Sequence, residues 1–278
     1  MECKLENITV YYELFGGGRP IIMLHAWSID HRHMINSMEP LFRHRDGWKR
    51  IYLDLPGHGR TPGKDWITNQ DKILDVVLDF IDSVIPGQRF TAAGTSAGAY
   101  LARGLVYRRA ALIDGLLLTV PLIVADDTKR TVPPKVILVE DSELASELEP
   151  DEAETFQLAV VQSRRLLEAS RANLPPEGEC GDQEFQAKIR ENPENYAFSF
   201  DVDALPKPFG APTLIVTGRQ DSVVGYRDVW GVLENYPRGT FVVLDRSGHL
   251  LEVEQEDLFR TLASEWLNRV EEYAGAVE

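Results

Sequence analysis

Residues Phe90 to Gly104 read FTAAGTSAGAYLARG. A β-prone run, Phe90 to Ala93, gives way to small helix formers, and at the junction Ser96 stands between Gly94 and Gly98. This is the setting a G-x-S-x-G nucleophile elbow requires. Such a turn is tight enough that the serine's flanking residues must be tiny. The serine itself is held in a strained backbone with its hydroxyl at the sheet edge. Ala99 and Gly104 let the following helix approach closely. A glycine-rich turn with an incidental serine would show the same pentapeptide, so its meaning depends on the rest of the chain.

Outward from that junction, β-prone runs alternate with helical ones, the pattern of a mainly parallel sheet wrapped by helices. Ile8, Val10 and Tyr12 alternate as in a half-exposed strand, and Gly16-Gly17-Gly18 breaks it. Ile21 to Leu24, Ile51 to Leu53 and Leu116 to Val120 are short apolar runs suited to a buried parallel sheet. Thr213 to Thr217 and Thr240 to Leu244 follow late in the chain. Thr68 with Asp71 resembles a capping box ahead of the stripe Ile73, Val76, Val77, Phe80, Ile81 and Val84, which Pro86-Gly87 stops. Leu258, Leu262, Trp266 and Val270 predict a closing helix. From about Leu122 to Leu205 the alternation fails. Phe156, Val160, Ser163 and Leu167 keep helical spacing, and Pro175-Pro176 opens a polar loop, so this segment reads as an insert. Its aromatics Phe185, Tyr196, Phe198 and Phe200 could cover a pocket or form the insert's own core.

A serine hydroxyl is a poor nucleophile near neutral pH and needs a base, which in turn needs a group to orient it. Gly218-Arg-Gln-Asp221 follows one late strand, and Asp245-Arg-Ser-Gly-His249 follows the other. Groups outside the carboxyl ends of strands in an open α/β sheet gather on one rim, so Ser96, Asp221 and His249 are expected to converge there. Taken singly, the aspartate is a turn former and the histidine a loop residue.

With those positions in hand, the chain resembles the α/β-hydrolase family over nearly its whole length outside the insert. His25-Ala26-Trp27-Ser28, directly after the run Ile21 to Leu24, looks like that family's oxyanion-loop motif, and Asp54-Leu-Pro-Gly-His-Gly-Arg-Thr61 looks like its DxxGxGxS loop. The resemblance implies a mostly parallel eight-stranded sheet flanked by helices, with a helical cap inserted after the sixth strand. The corresponding division is a core at 1–121 and 206–278 with a cap at 122–205. It also implies that the backbone N–H groups of Trp27 and Ala97 form the oxyanion hole. The family's usual glycine is replaced here by Ala26, which bears on where the Trp27 N–H points, and Thr61 stands in place of a serine. His25 and His58 read as structural. Tyr100, Val223, Val224 and Leu250 adjoin the motif positions and are candidates for an apolar pocket wall, as is Trp27.

Composition narrows the rest. The 29 Lys and Arg against 44 Asp and Glu give a net charge of −15, which disfavours nucleic acid and anionic membrane as partners and favours a small neutral or weakly charged substrate. Much of the excess crowds one segment, Glu140 to Glu154, which reads as a solvated face. Cys3 and Cys180 support neither a disulfide framework nor a zinc site. His31-Arg-His33 puts two imidazoles on one side of an extended chain without a third ligand, and Gly16-Gly17-Gly18 lacks dinucleotide spacing, so neither a metal nor a cofactor is expected. No apolar run reaches membrane-spanning length, and MECKLENITV lacks a signal-like apolar region, so a cytoplasmic location is the expectation. The expected chemistry is acyl transfer to water: cleavage of a small, largely apolar carboxylic ester or lactone. A C–C bond, thioester or amide could use the same three side chains, and a ligand-binding protein on the same fold is the non-enzymatic alternative.

Overall fold

Four runs of residues buried on both faces make the middle of the sheet, as parallel strands packed between helices demand. A computed structural model describes residues 1–173 and 181–277; Pro175-Pro176 and Cys180 lie outside the described residues. The strands are β1 (Glu2–Lys4), β2 (Thr9–Phe15), β3 (Arg19–Leu24), β4 (Trp48–Leu53), β5 (Phe90–Thr95), β6 (Ile113–Thr119), β7 (Thr213–Gly218) and β8 (Gly239–Leu244). They form one sheet in the order β1-β2-β4-β3-β5-β6-β7-β8. At one edge β1 pairs antiparallel with β2, and β2 antiparallel with β4; the other five pairings are parallel. Each strand foreseen from the sequence is present; β1 is additional, too short to show a period.

Register decides what the sheet can do. Leu24 pairs with Gly94, Thr95 with Thr119, Thr119 with Val216, and Gly218 with Leu244. The carboxyl ends of β3, β5, β6, β7 and β8 therefore stop nearly level, and the loops that leave them share one rim.

The helices are α1 (His31–Phe42), α2 (Gln70–Val84), α3 (Ala97–Arg109), α4 (Ser142–Ala145), α5 (Pro150–Leu158), α6 (Arg164–Asn173), α7 (Gln183–Arg190), α8 (Pro193–Tyr196), α9 (Leu251–Glu254) and α10 (Glu256–Val277). Two pairs, α1 with α10 and α2 with α3, lie against the sheet. The stripe foreseen on α2 is buried from Ile73 to Ile81. Its cap is Asn69, whose side chain accepts the Lys72 N–H at 3.1 Å, and not Thr68. Asp71 instead accepts the backbone N–H of Ser199 at 3.0 Å, tying the insert to α2. On α10 the buried face is Phe259, Ala263, Trp266, Leu267 and Val270, so the stripe is turned from the predicted one and Leu258 stands 49% exposed. Trp266 sets that rotation by donating its indole N–H to the Pro212 carbonyl at 3.1 Å.

Helices α4 to α8 all fall between β6 and β7. The single helix predicted through Phe156, Val160, Ser163 and Leu167 is two: α5 ends at Leu158, Val161 bridges to Val139, and α6 starts at Arg164. A carboxylate breaks it, because Glu254 accepts the N–H of Val160 at 2.5 Å and of Val161 at 3.2 Å. Phe156, Leu166, Leu167 and Leu144 make a small separate core. The later aromatics pack differently: Phe198 stacks on Tyr100 of α3 at 4.4 Å, and Phe200 on Tyr107 at 4.5 Å. Gly104 makes room for this, since a Cβ there would sit 2.7 Å from the Phe198 ring. Within the acidic segment Glu143, Glu147 and Glu149 are exposed as expected, but Glu152 is buried against Arg171. Among the described residues no helix is long and apolar enough to cross a membrane.

Candidate active site

At the end of β5 the chain turns sharply into α3, and Ser96 takes the whole of that turn with φ 54° and ψ −114°. Left-handed φ in a residue that carries a Cβ is uncommon and is held only where the surroundings over-determine it. Here they do. A Cβ on Gly94 would lie 2.4 Å from the Gly98 carbonyl oxygen, and one on Gly98 would lie 2.1 Å from that of Leu24, both immovable backbone. The Ser96 N–H meanwhile donates to the Thr119 carbonyl of β6 at 3.0 Å.

Asp221 leaves β7 in a turn that its own side chain builds. Oδ1 accepts the N–H groups of Val223 at 2.8 Å and Val224 at 3.0 Å, which leaves Oδ2 to face the imidazole of His249. His249 leaves β8 on a loop that presses against the first, since a Cβ at Gly218 would sit 2.4 Å from the Gly248 carbonyl oxygen. The three residues meet: His249 Nδ1 is 2.9 Å from Asp221 Oδ2, and His249 Nε2 is 3.1 Å from Ser96 Oγ. A carboxylate only accepts, so it fixes the proton on Nδ1 and leaves Nε2 free to accept from the serine. Burial works against a charged imidazole, but the charge of Asp221, its hydrogen bond and the nearby Glu252 outweigh it and raise the pKa of His249.

Around this line the structure distributes the other predicted residues. Ala97 is the first residue of α3, so its N–H belongs to the helix's unsatisfied first turn, where the helix dipole is positive. Trp27 follows β3 on the same rim, and the left-handed residue of its turn is Ser28, φ 66°, rather than Ala26. The indole of Trp27 lies edge-on to His58 at 4.7 Å and to Tyr196 at 5.1 Å. Tyr100 is buried beneath Phe198 and accepts its N–H at 3.0 Å. Val224 is buried, Val223 half-buried, and Leu250 packs on the small core of α5 and α6.

The other histidines are engaged elsewhere. His25 donates from Nδ1 to the Ala26 carbonyl at 2.7 Å and accepts the Leu55 N–H at Nε2, 3.0 Å, and burial lowers its pKa to about 4. His58 donates to the Pro56 carbonyl at 2.9 Å, and burial lowers its pKa to about 3. Both are neutral struts that join the Trp27 loop to the Asp54 loop. His31 and His33 are not on an extended chain; they sit in the first turn of α1, one turned to Asp54 at 2.7 Å. Asp30, His31 and Asp54 lie close enough together to hold a metal ion, yet the carboxylate of Asp54 already accepts from His31 and from the Arg60 N–H at 2.8 Å.

Three groups at the rim have no counterpart in the sequence reading. Arg130 donates to the carbonyls of Val124, Ala125 and Val223, lashing the segment after β6 to the Asp221 turn. Glu254 accepts the Gly248 N–H at 2.6 Å as well as those of Val160 and Val161, joining the His249 loop to the insert. Glu252 is buried and accepts from the Thr95 hydroxyl at 2.8 Å. Charged residues in a helix after a histidine read as solvent-facing, and only the partners, 94 and 157 positions away, show otherwise.

A family model described as the alpha/beta hydrolase family matches residues 21–261. A pimeloyl-[acyl-carrier protein] methyl ester esterase of Legionella pneumophila (strain Corby) is 23% identical, over 94% of this chain and 100% of its own length. An alpha/beta superfamily hydrolase from Oenococcus oeni PSU-1, of solved structure, superposes with a TM-score of 0.85 at 27% identity, covering 98% of this chain and 99% of that one. The enol-lactonase from Burkholderia xenovorans LB400 superposes with a TM-score of 0.69 at 17% identity over 96% of this chain and 100% of that one, a likeness of fold.

Proposed function

The chain belongs to the alpha/beta hydrolase family, and from that premise we propose that it is a serine hydrolase that cleaves a small, largely apolar carboxylic ester or lactone through an acyl-enzyme. The observation that carries this reading is the continuous line from Ser96 Oγ to His249 Nε2, 3.1 Å, and from His249 Nδ1 to Asp221 Oδ2, 2.9 Å. In the first step the Ser96 oxygen bonds to the acyl carbon while its proton passes to Nε2 of His249. Asp221 holds the ring and stabilises the imidazolium. The negative charge that develops on the former carbonyl oxygen is met by the N–H groups of Trp27 and Ala97. His249 then gives its proton to the leaving alkoxide as the C–O bond breaks. In the second half a water takes the serine's place, losing a proton to His249 as it attacks the ester carbon of the acyl-enzyme, and Ser96 leaves with that proton. Water is the only co-reactant this balance needs.

The name of the Legionella relative, a methyl ester esterase, leans the substrate toward esters. Residues 122–205 are read as a cap over the core formed by 1–121 and 206–278. What supports that division is Arg103 of α3, which donates to the Leu122 carbonyl at 3.0 Å and to the Asp203 carboxylate at 2.5 Å and so holds both ends of the segment at one buried cation. Trp27 and Tyr196, in ring contact at 5.1 Å, then form the wall where core and cap meet, with Val223 and Val224 as further candidates for it, while Tyr100 backs Phe198 and Leu250 faces the small core of the insert.

The test is turnover of a graded series of p-nitrophenyl esters with lactones, thioesters and β-diketones in the same panel, native protein against Ser96→Ala. Ester or lactone turnover that vanishes in the variant, with covalent labelling of Ser96 by a serine-directed phosphonate, is the expected outcome. Absence of both turnover and labelling in the native protein overturns the enzyme reading in favour of a ligand-binding protein. Turnover confined to thioesters or β-diketones keeps the enzyme and replaces the bond.

A further inference from the structure

Behind the line of Ser96, His249 and Asp221 sits a second buried carboxylate. Glu252 is 5% exposed and lies on the short helix α9, three residues after His249. Its Oε1 accepts from the hydroxyl of Thr95 at 2.8 Å, and Thr95, itself buried, is the residue directly before Ser96. One hydrogen bond thus joins the strand that delivers the nucleophile to the helix that follows the base, across 157 positions of sequence. A buried carboxylate is costly unless something holds it. The neighbouring α9 residue Glu254 is spent on backbone N–H groups, whereas Glu252 reaches across to the strand that delivers Ser96.

We propose that Glu252 is a positioning residue for the base: through Thr95 it fixes the spacing of Ser96 and His249, and it adds a second carboxylate to the surroundings of the imidazole. This rests on the serine hydrolase reading given above. The charged and titratable groups that face His249 are Asp221 after β7, Glu252 on α9 and Arg130 from the segment after β6. His33 on α1 lies close as well and feels both Glu252 and His249. The two carboxylates favour the imidazolium, while Arg130 and burial oppose it. Asp221 is hydrogen-bonded to the ring, so it fixes the tautomer, and Glu252 acts on the same charge without touching the ring's own hydrogen bonds. The Nδ1 of His33 is buried without a partner among the described residues, so α1 contributes no competing hydrogen bond from that atom.

Glu252→Gln separates the two actions, because its amide oxygen still accepts from Thr95 while the charge is gone. A unit charge several ångströms away in a partly screened interior moves a pKa by about half a unit to one unit. The acidic limb of kcat/KM should therefore move down by about 0.5 to 1 pH unit in Glu252→Gln, since the imidazolium has lost a stabilising neighbour. Plateau kcat should fall about threefold in Glu252→Gln and about thirtyfold in Glu252→Ala, with KM nearly constant, and Thr95→Ser should work far better than Thr95→Val. The His249 ring is also to be titrated directly by NMR in the native protein and in Glu252→Gln, which reads the coupling whether or not a substrate has been found. A limb and a ring pKa that both stay within about 0.2 units of native overturn the proposal. So does a Glu252→Ala variant, folded by circular dichroism, with native kcat. If instead Ser96→Ala retains turnover while the NMR shift is present, the hydrolase reading has failed and the electrostatic coupling stands.

Discussion

The rim and the insert are built on opposite plans. At the rim the main chain does the positioning: strands in level register deliver Ser96, Asp221 and His249, and glycines permit approaches that any Cβ would block. In the insert the positioning is done by side chains. Glu254 breaks a helix to dock it on the His249 loop, Arg103 gathers its two ends, and stacked rings lay it on α3. Backbone-built sites tolerate little and are precise, whereas side-chain contacts can be lost one at a time. The difference predicts that damage at the rim abolishes chemistry outright and damage in the insert degrades it.

The largest effects belong to the rim. His249→Ala should lower kcat/KM by about 10⁵ or more, and Asp221→Asn by about 10³ to 10⁴, leaving a measurable residue of turnover. Steady-state kinetics on a p-nitrophenyl ester decides this, and an Asp221→Asn enzyme as fast as native would remove Asp221 from the line. Gly98→Ala comes next. With the new Cβ 2.1 Å from the Leu24 carbonyl oxygen, the elbow has to move, and the variant should either fail to accumulate as folded protein or lose more than about 100-fold in activity. Recovery of folded protein and activity together measure it, and a near-native variant would mean the packing at the elbow is looser than described. For the insert, Phe198→Ala should cost about 3 kcal/mol in urea unfolding and raise KM several-fold with kcat within about threefold of native. A collapse of kcat equal to that of His249→Ala would dissolve the contrast between the two regions.

The smallest effect is one of pH. His25 and His58 bind a proton more weakly folded than unfolded, with pKa values brought down to about 4 and about 3 from 6.5. The unfolded chain therefore binds more protons across that interval, and stability falls as the pH drops below about 6.5 toward 4, this pair contributing a slope that approaches two protons and buried His33, also lowered, adding in the same direction. Urea unfolding measured from pH 7 to 4.5 gives the slope, and His58→Phe should take about one proton from it.

What could be read from the sequence follows the same division. The sheet, the elbow and the three rim residues are legible because strand, turn and glycine signals are local, and the level register does the rest. Leu24 and Gly94 need only be strand ends to bring Trp27 and Ser96 to one edge. The insert resisted reading because its determinants are remote. Phe156 to Leu167 keep helical spacing, and nothing nearby announces that Glu254 will claim two of the amide groups such a helix would use. Asn69 displaced Thr68 as the cap of α2, a shift of one residue that side-chain chemistry alone does not settle because both can accept. His31 and His33 looked extended because a residue pair shows no helical period. Glu252 and Arg103 were hidden for the plainest reason: an isolated charge carries no sign of the partner that lets it be buried.

The left-handed turn at Ser96 has one more consequence. That conformation suits a residue with no side-chain carbon, so Ser96→Gly should yield a protein that melts later than the native one and turns over nothing. With Ser96 in its proposed role, heat tolerance and reactivity pull in opposite directions at a single position. A screen of random variants that rewards survival at high temperature alone would drift toward discarding the hydroxyl, and only a screen that also demands product would keep it.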